Sequence, residues 1–531
     1  FLNKLSPEEV APSIRMIVGK IFPEWSQTTL DVSWRTVQNV IRSITKASEE
    51  EMLNAFSEKG DLGDMAQLLM SRREVSKQTM LLSKPLTILE VYRSYQTISE
   101  IQGSGSKKKK ENILLSLLSR ASPLEAKYII KNLIREMRTG ASLGLMEEAI
   151  AKATDTPLEI VKRAHMLIGE LGEVAEKAIL EGERSLREVK PIPFRPIKPM
   201  LAQAVENVES ALEQHGGETS LEYKLDGARL QIHIQRGEVR VYSRRLTEVT
   251  TSLPDVVEQV INNIKCEDAI LEGEVIAVGG DGRPLPFQNL MRRFRRIKGV
   301  EETITRIPVK LYLFDIIYLN GQTLIDQPYS ERRETLSRVA GNIELVPQLF
   351  TRDLSEAQRF FDESKLKGHE GLMAKNIESK YTPGRRGKKW LKIKRAELLD
   401  LEIVGADWGY GRRVKWLSDY YLAAMDEESG ELQIIGKTFK GLSDEEFKEI
   451  TEKLKTLIIA EKGRTVRVKP EIVVETAFDE IQKSSKYESG FALRFARITR
   501  VRYDKGVEDI DTIRKVRMLY EKQFKDRLAS I

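Results

Sequence analysis

At 531 residues the chain is too long for a single core, and about three domains are expected. Charged residues make up 31% of it, above the usual fraction of about 25%, which suits both a nucleic-acid binder and a heat-stable protein rich in ion pairs; the net charge of +6 does not separate the two. One cysteine, Cys266, excludes a disulfide framework and any multi-cysteine zinc site and reads as an inert thiol, His165, His215, His233 and His369 lack ligand spacing, and with no membrane-length apolar run or signal peptide a soluble intracellular protein is expected.

Residues 1–190 read as helical, with apolar residues three and four apart in NILLSLLSR, EAKYIIKNLIREM and LIGELGEVAEKAIL. QGSGSKKKKEN at 102–112 interrupts that pattern and reads as a mobile surface loop. The proline-rich KPIPFRPIKPMLA at 190–202 reads as a domain linker, because proline lacks an N–H and holds its neighbour extended. From 191 to 396 the pattern is α+β. LQIHIQRGEVRVYSRR alternates around an Arg-Gly turn and predicts a hairpin, AILEGEVIAV, VKLYLFDIIYLNG, EGLMAK and KKWLKIK predict strands, and PDVVEQVINNI and SEAQRFFDESKLKG predict helices. From 397 to 531 five predicted strands and one helix, SDEEFKEITEKLKTL, suit a small OB-type barrel. No internal repeat is found.

The sharpest chemical signal is EYKLDGARLQ at 222–231, a lysine at a strand end before an Asp-Gly turn and an arginine. Alone, such a string is an ordinary hairpin turn. Its weight comes from ordered company: SRRLTEVT, LEGEVIA, LFDIIYLNG, HEGLMAK, KKWLKIK and LRFARITRVRYDK follow in turn. A lysine amine attacks phosphorus only when deprotonated, which neighbouring positive charge or desolvation favours. Lys392 and Lys394 alternate with Trp390 on one strand, so all three are expected to face one pocket, where the two lysines would lower the pKa of Lys224 and hold a phosphate. Asp315 follows Phe314, so one of that pair is expected to leave the pocket.

This ordered set resembles the covalent nucleotidyltransferases, and PIKPMLA, HEGLMAK and GFALRFARITRVRYDKG are similar to the archaeal and eukaryotic replicative ATP-dependent DNA ligases. The resemblance covers nearly the whole chain. It implies an all-α DNA-binding domain at 1–190, an adenylation domain at 191–396 and an OB-fold domain at 397–531, acting together as a nick-sealing enzyme through a lysyl-AMP intermediate on Lys224. By the same resemblance Glu222 would read the adenine amino group, Phe314 and Met373 would flank the base, and Glu274 would bind the ribose. Arg229, Arg244 and Arg386 would contact ribose or phosphates, Lys392 and Lys394 the α-phosphate, and Arg494 and Arg497 the departing pyrophosphate. Asp226, Glu370 and Glu274 are the candidates for Mg²⁺, an ion that prefers oxygen ligands and keeps most of its waters.

Two basic runs are candidates for DNA: MRRFRRIK at 291–298, with Arg292 and Arg293, and REMRTGASLG at 135–144, with Arg135, Arg138, Thr139 and Gly140; each also suits a plain solvated face. Gln78, Leu81 and Leu82 stand where related archaeal ligases carry a sliding-clamp peptide, and a buried helix end explains them equally well. Ala496 replaces the proline common between the phenylalanine and arginine of the last motif. An RNA-modifying nucleotidyltransferase would share the lysine motif but not the large helical region, and an NAD-dependent ligase should carry the four-cysteine zinc site that one cysteine excludes. A monomer in nucleoid-associated cytoplasm is the expected setting.

Overall fold

Helices in the first part of the chain begin where the sequence supplies a reciprocal cap. Ser48 with Glu51, Thr87 with Glu90 and Ser122 with Glu125 each exchange side-chain-to-backbone hydrogen bonds, opening the helices Glu49–Lys59, Ile88–Glu100 and Pro123–Leu133. The computed structural model describes residues 1–72, 84–285, 287–294, 304, 306–393 and 397–528. The chain divides into two compact units, one of Phe1–Ser364 with His369–Ile393, the other of Lys394–Ile531 with Lys365–Gly368. The helical region has two cores of its own, one around Ile41, Met65, Tyr95 and Ile130, the other around Val10, Ile14, Ile150 and Val174.

One expectation for this region is corrected. The tetralysine stretch is not a loop: after left-handed turns at Gly103 and Gly105, Ser106–Arg120 is helical. The buried stripe of Leu114 and Leu117 runs back one turn to Lys110, whose ammonium donates to the Leu30 carbonyl oxygen at 2.7 Å. The proline-rich segment is an extended arm docked on a sheet. Its Ile197 exchanges two hydrogen bonds with the Gln231 side chain, at 2.8 and 3.1 Å, and the Phe194 N–H donates to His233 Nδ1. Burial pushes the His233 pKa down to about 3, which keeps that nitrogen a neutral acceptor.

The middle of the chain builds two five-stranded sheets. One has the order Leu201–Val205, Arg386–Ile393, Gly371–Lys375, Thr219–Lys224, Gln348–Thr351, with only its first pair parallel. The other has the order Glu238–Ser243, Ala228–Gln235, Asp268–Ala277, Val309–Leu319, Gln322–Thr323. The Asp226-Gly227 turn carries the chain from the first to the second. A Cβ on Gly227 would lie 2.3 Å from the Val275 carbonyl oxygen, so only glycine lets the strands approach this closely. In the Val309–Leu319 strand the pairing skips Phe314, with Gly273 opposite Leu313 and Glu272 opposite Asp315. This bulge breaks the expected alternation, and neither residue leaves the interior: Phe314 joins the aromatic core and Asp315 is fully buried against Arg332.

Arg332 binds both Asp315 oxygens, at 2.8 and 3.0 Å, and donates to the carbonyls of Gln327 and Ser379. Both side chains are fully buried. Breaking such a pair strands a buried carboxylate, so Arg332→Ala should cost about 3–5 kcal/mol, read as a lower urea midpoint by fluorescence. An unchanged midpoint would show that water replaces the guanidinium.

The helical region touches the second sheet through Gln27. Its amide donates to the Leu246 carbonyl at 2.5 Å and accepts from the Glu248 N–H at 3.1 Å, closing over a turn in which Leu246 is left-handed. Arg163 binds Asp326 through two hydrogen bonds, at 3.2 and 2.6 Å.

In the second unit a seven-stranded sheet is built on the long strand Glu397–Trp408, which pairs on one edge with Val473–Phe478 along its first half and with Thr465–Val468 along its second. No barrel closes among the described strands, an arrangement consistent with the partly open OB type. The structure has more than the five expected strands because VRVKPEIVVETAF is two strands, broken at Pro470, an added strand Ile458–Lys462 pairs with the first of them, and a separate hairpin pairs Glu480–Lys483 with Phe491–Arg494. A helix at Ile513–Leu528 was also not expected. No helix of the described residues is long and apolar enough to cross a membrane.

Candidate active site

Lys224 is the last residue of its strand, opposite Gly371, and its carbonyl accepts the Glu370 N–H at 2.9 Å. Its ammonium donates to Glu370 Oε2, while Glu274 and Asp226 act on it through space. Burial alone would lower the Lys224 pKa, but the carboxylates of Glu370, Glu274 and Asp226 outweigh it and hold the pKa above the ordinary lysine value. The expected lowering of the Lys224 pKa is therefore corrected: its acidic neighbours dominate. The same crowding raises Glu274 to about 7, through desolvation first, with Lys224 and Arg229 opposing.

Gly371 makes this apposition possible. Its φ is +143°, and a Cβ there would lie 2.3 Å from the Ile393 carbonyl oxygen. Met373 stands opposite both Glu222 and Lys392 in the sheet, so three expected nucleotide contacts occupy neighbouring positions. Lys394 lies outside the described residues. Arg244 and Arg386 are exposed, whereas Arg229 is turned inward: it pairs with Glu272 at 2.5 Å, donates to the Met200 carbonyl and lies over the Phe314 and Trp390 rings.

Glu222 is buried. One oxygen accepts from Tyr329 Oη and the other pairs with Lys375 at 2.6 Å, while Arg333 is 3.7 Å away. Lys375 Nζ is surrounded by the rings of Phe314, Trp390 and Tyr329, at 4.5, 4.5 and 4.7 Å. Burial lowers its pKa although Glu222 and Asp315 oppose the change. Sequence reasoning missed Tyr329, Arg333 and Lys375. Only Lys375 carried a signal, as the end of HEGLMAK.

The Asp226, Glu274 and Glu370 carboxylates have the oxygen chemistry a hard cation prefers, yet no three acidic, histidine or cysteine side chains among the described residues are arranged to hold a metal ion. Mg²⁺ commonly binds through one or two carboxylates plus substrate phosphates and its own waters, so the donor set fits an ion that arrives with a triphosphate.

Of the basic runs, one assignment is corrected. Arg293 is no DNA contact: its helix, Phe287–Phe294, turns it inward beside Leu290, where it pairs with Asp255 and donates to the Ile307 carbonyl. Arg292 stays exposed. Arg135 and Arg138 are exposed in a loop where both, like Gly140, have positive φ, and Arg138 pairs with Glu136 at 2.5 Å. Thr139 is exposed and its hydroxyl accepts the Ala141 N–H at 3.4 Å. Gln78, Leu81 and Leu82 lie outside the described residues. Arg494 and Arg497 sit on different strands, separated by the left-handed Phe495, and pair with Glu480 at 3.0 Å and Asp479 at 3.5 Å.

Residues 199–394 match the family described as ATP dependent DNA ligase domain, 1–151 the DNA ligase N terminus and 413–505 the ATP dependent DNA ligase C terminal region. The chain is 47% identical to DNA ligase 1 of Korarchaeum cryptofilum over 525 residues, covering 99% of this chain and 94% of that one. It is 43% identical to the DNA ligase of Thermococcus fumicolans, covering 98% and 93%, and 44% identical to that of Methanopyrus kandleri, covering 97% and 93%. The solved structure named Pmar-Lig_Pre shares the fold, with a TM-score of 0.55, 17% identity and coverage of 94% of this chain and 100% of that one. The chain belongs to the ATP-dependent DNA ligase family.

Proposed function

We propose that this protein seals nicks between a 5′-phosphate and a 3′-hydroxyl in duplex DNA, using ATP and Lys224. The observation that carries the reading is the placement of Lys224 at the mouth of its strand, bonded to Glu370 and facing Glu274 and Asp226, in a chain of this family. Lys224 Nζ attacks the α-phosphorus of ATP, a P–N bond forms, and the bond to pyrophosphate breaks. The 5′-phosphate of the nick then takes the AMP, freeing Lys224, and the 3′-hydroxyl displaces AMP to close the strand. Glu370 orients the amine through its proton until the triphosphate enters. Glu370 and Asp226, with Glu274 beside them, would hold Mg²⁺, whose positive charge would offset these carboxylates and favour the neutral amine. Phe314 and Met373 flank the base, Glu222 reads its amino group and Glu274 binds the ribose. Lys392 and Lys394 hold the α-phosphate, Arg244 and Arg386 serve the ribose and phosphates, and Arg229 lies over the Phe314 ring.

The domains are proposed as 1–190 for DNA, 191–396 for adenylation and 397–531 for the OB fold, in a monomer of nucleoid-associated cytoplasm. Gln78, Leu81 and Leu82 are proposed to dock on a sliding clamp. Incubation with labelled ATP, GTP or NAD, followed by a denaturing gel and a chase with nicked duplex, tests the reading. A labelled protein band from ATP alone, discharged by the nick, is expected; a band from GTP, or no discharge by DNA, would refute it.

The loop holding Arg135, Arg138, Thr139 and Gly140 is proposed to meet the phosphate backbone, with Arg292 a second point of attachment. Changing Arg135 and Arg138 together to alanine should reduce the slope of log affinity against log salt by roughly 0.9 for each phosphate no longer neutralised. An unchanged slope would leave both as solvated loop residues that touch no phosphate.

A further inference from the structure

The hydroxyl that holds Glu222 belongs to Tyr329, on the helix Tyr329–Val339, outside every motif that marks the site. Tyr329 is fully buried. Gln348 Nε2 donates to its oxygen at 3.2 Å and to Ser220 Oγ at 2.7 Å. With that lone pair occupied, the single phenolic proton points to Glu222 Oε1. Desolvation, and Glu222 after it, raise the Tyr329 pKa well above the ordinary tyrosine value, so the proton stays in place across the working pH range. Lys375 holds the other carboxylate oxygen at 2.6 Å. Both ends of the carboxylate are therefore fixed, and the directions of its remaining lone pairs are fixed with them.

Arg333 makes this matter. Its guanidinium is 3.7 Å from the oxygen that Tyr329 holds. A carboxylate freed from Tyr329 can turn toward Arg333 and carry its open acceptor edge with it. A purine with an amino group at position 6 offers a donor to that edge, and a purine with an oxo group offers another acceptor, which an ionised carboxylate repels.

We propose that Tyr329 is a positioning residue for base selection, holding Glu222 so that the site accepts a 6-amino purine triphosphate and rejects the 6-oxo one. This rests on the reading of Glu222 as the group that meets the adenine amino group.

The test is single-turnover self-adenylation with ATP and ITP. Wild-type protein should prefer ATP. In Tyr329→Phe, which keeps the ring against Lys375, the ATP concentration giving half the maximal rate should rise about tenfold with the maximal rate within about twofold, while that for ITP stays where it was. An equal loss with both nucleotides would mark a merely structural hydroxyl and overturn the proposal, as would unchanged selectivity. A wild-type protein that does not prefer ATP over ITP would instead overturn the reading of Glu222, and the proposal with it. Should Tyr329→Phe fail to fold, Gln348→Met, which frees the phenolic oxygen, should lower the ATP preference about threefold; an unchanged preference in that variant overturns the proposal.

Discussion

Lys224→Ala should leave no protein-linked AMP after incubation with ATP, and no ligation from ATP, because no other amine replaces it at the end of the Thr219–Lys224 strand. Lys224→Arg should fail as completely, since a guanidinium stays protonated and cannot attack phosphorus. The structure sharpens the comparison. Wild-type Lys224 is itself held as an ammonium by Glu370, with Glu274 and Asp226 adding to the field. The measurement is an acid-labile, lysine-linked adduct on a denaturing gel. An adduct that persisted in Lys224→Ala would move the nucleophile elsewhere.

Arg497→Ala should slow self-adenylation by about 10²-fold or more, the usual effect of removing one preplaced charge from a leaving group. The same variant should seal a nick whose 5′-phosphate already carries AMP at close to the wild-type rate, because pyrophosphate has no part in that step. Arg497 suits the role: it is exposed, and its bond to Asp479 is long at 3.5 Å, so little is given up when an anion replaces the carboxylate. Arg494 is held closer, by Glu480 at 3.0 Å, and its substitution should have the smaller effect. Equal defects in the two assays would remove the step-specific role and leave a general DNA or folding contact.

The contrast between these residues shows what a sequence discloses. Local conformation was legible. The Arg236-Gly237 hairpin turn has both residues left-handed, at φ of 48° and 84°, as such a turn demands, and the helix Pro254–Asn263 starts at its proline. Lys224 and its carboxylates were legible as an ordered set of motifs. Buried charge was not. Arg332 and Arg333 lie in YSERRETL, which reads as a solvated helix face, and both are buried because their partners come from distant strands. Lys110 and Arg293 escape the sequence for the same reason: an inward charge is recognised only by its partner, here the Leu30 carbonyl and Asp255. The bulge at Phe314 was equally hidden, since register belongs to a pair of strands and one strand read alone cannot reveal it.

The bond between Gln27 and the turn at Leu246 also bears on how the chain is made. The two residues are 219 positions apart. At the usual rate of about 5–20 residues per second, Leu246 leaves the ribosome about 10–40 s after Gln27. Helices complete their local contacts within microseconds, so the helical region can be folded long before that turn exists. The turn, with the strained backbone that carries Arg244 past Leu246, then settles on a surface already in place. Nascent-chain folding of the catalytic sheets should accordingly follow the order of synthesis, with the amino-terminal helices acting as a template in the same molecule.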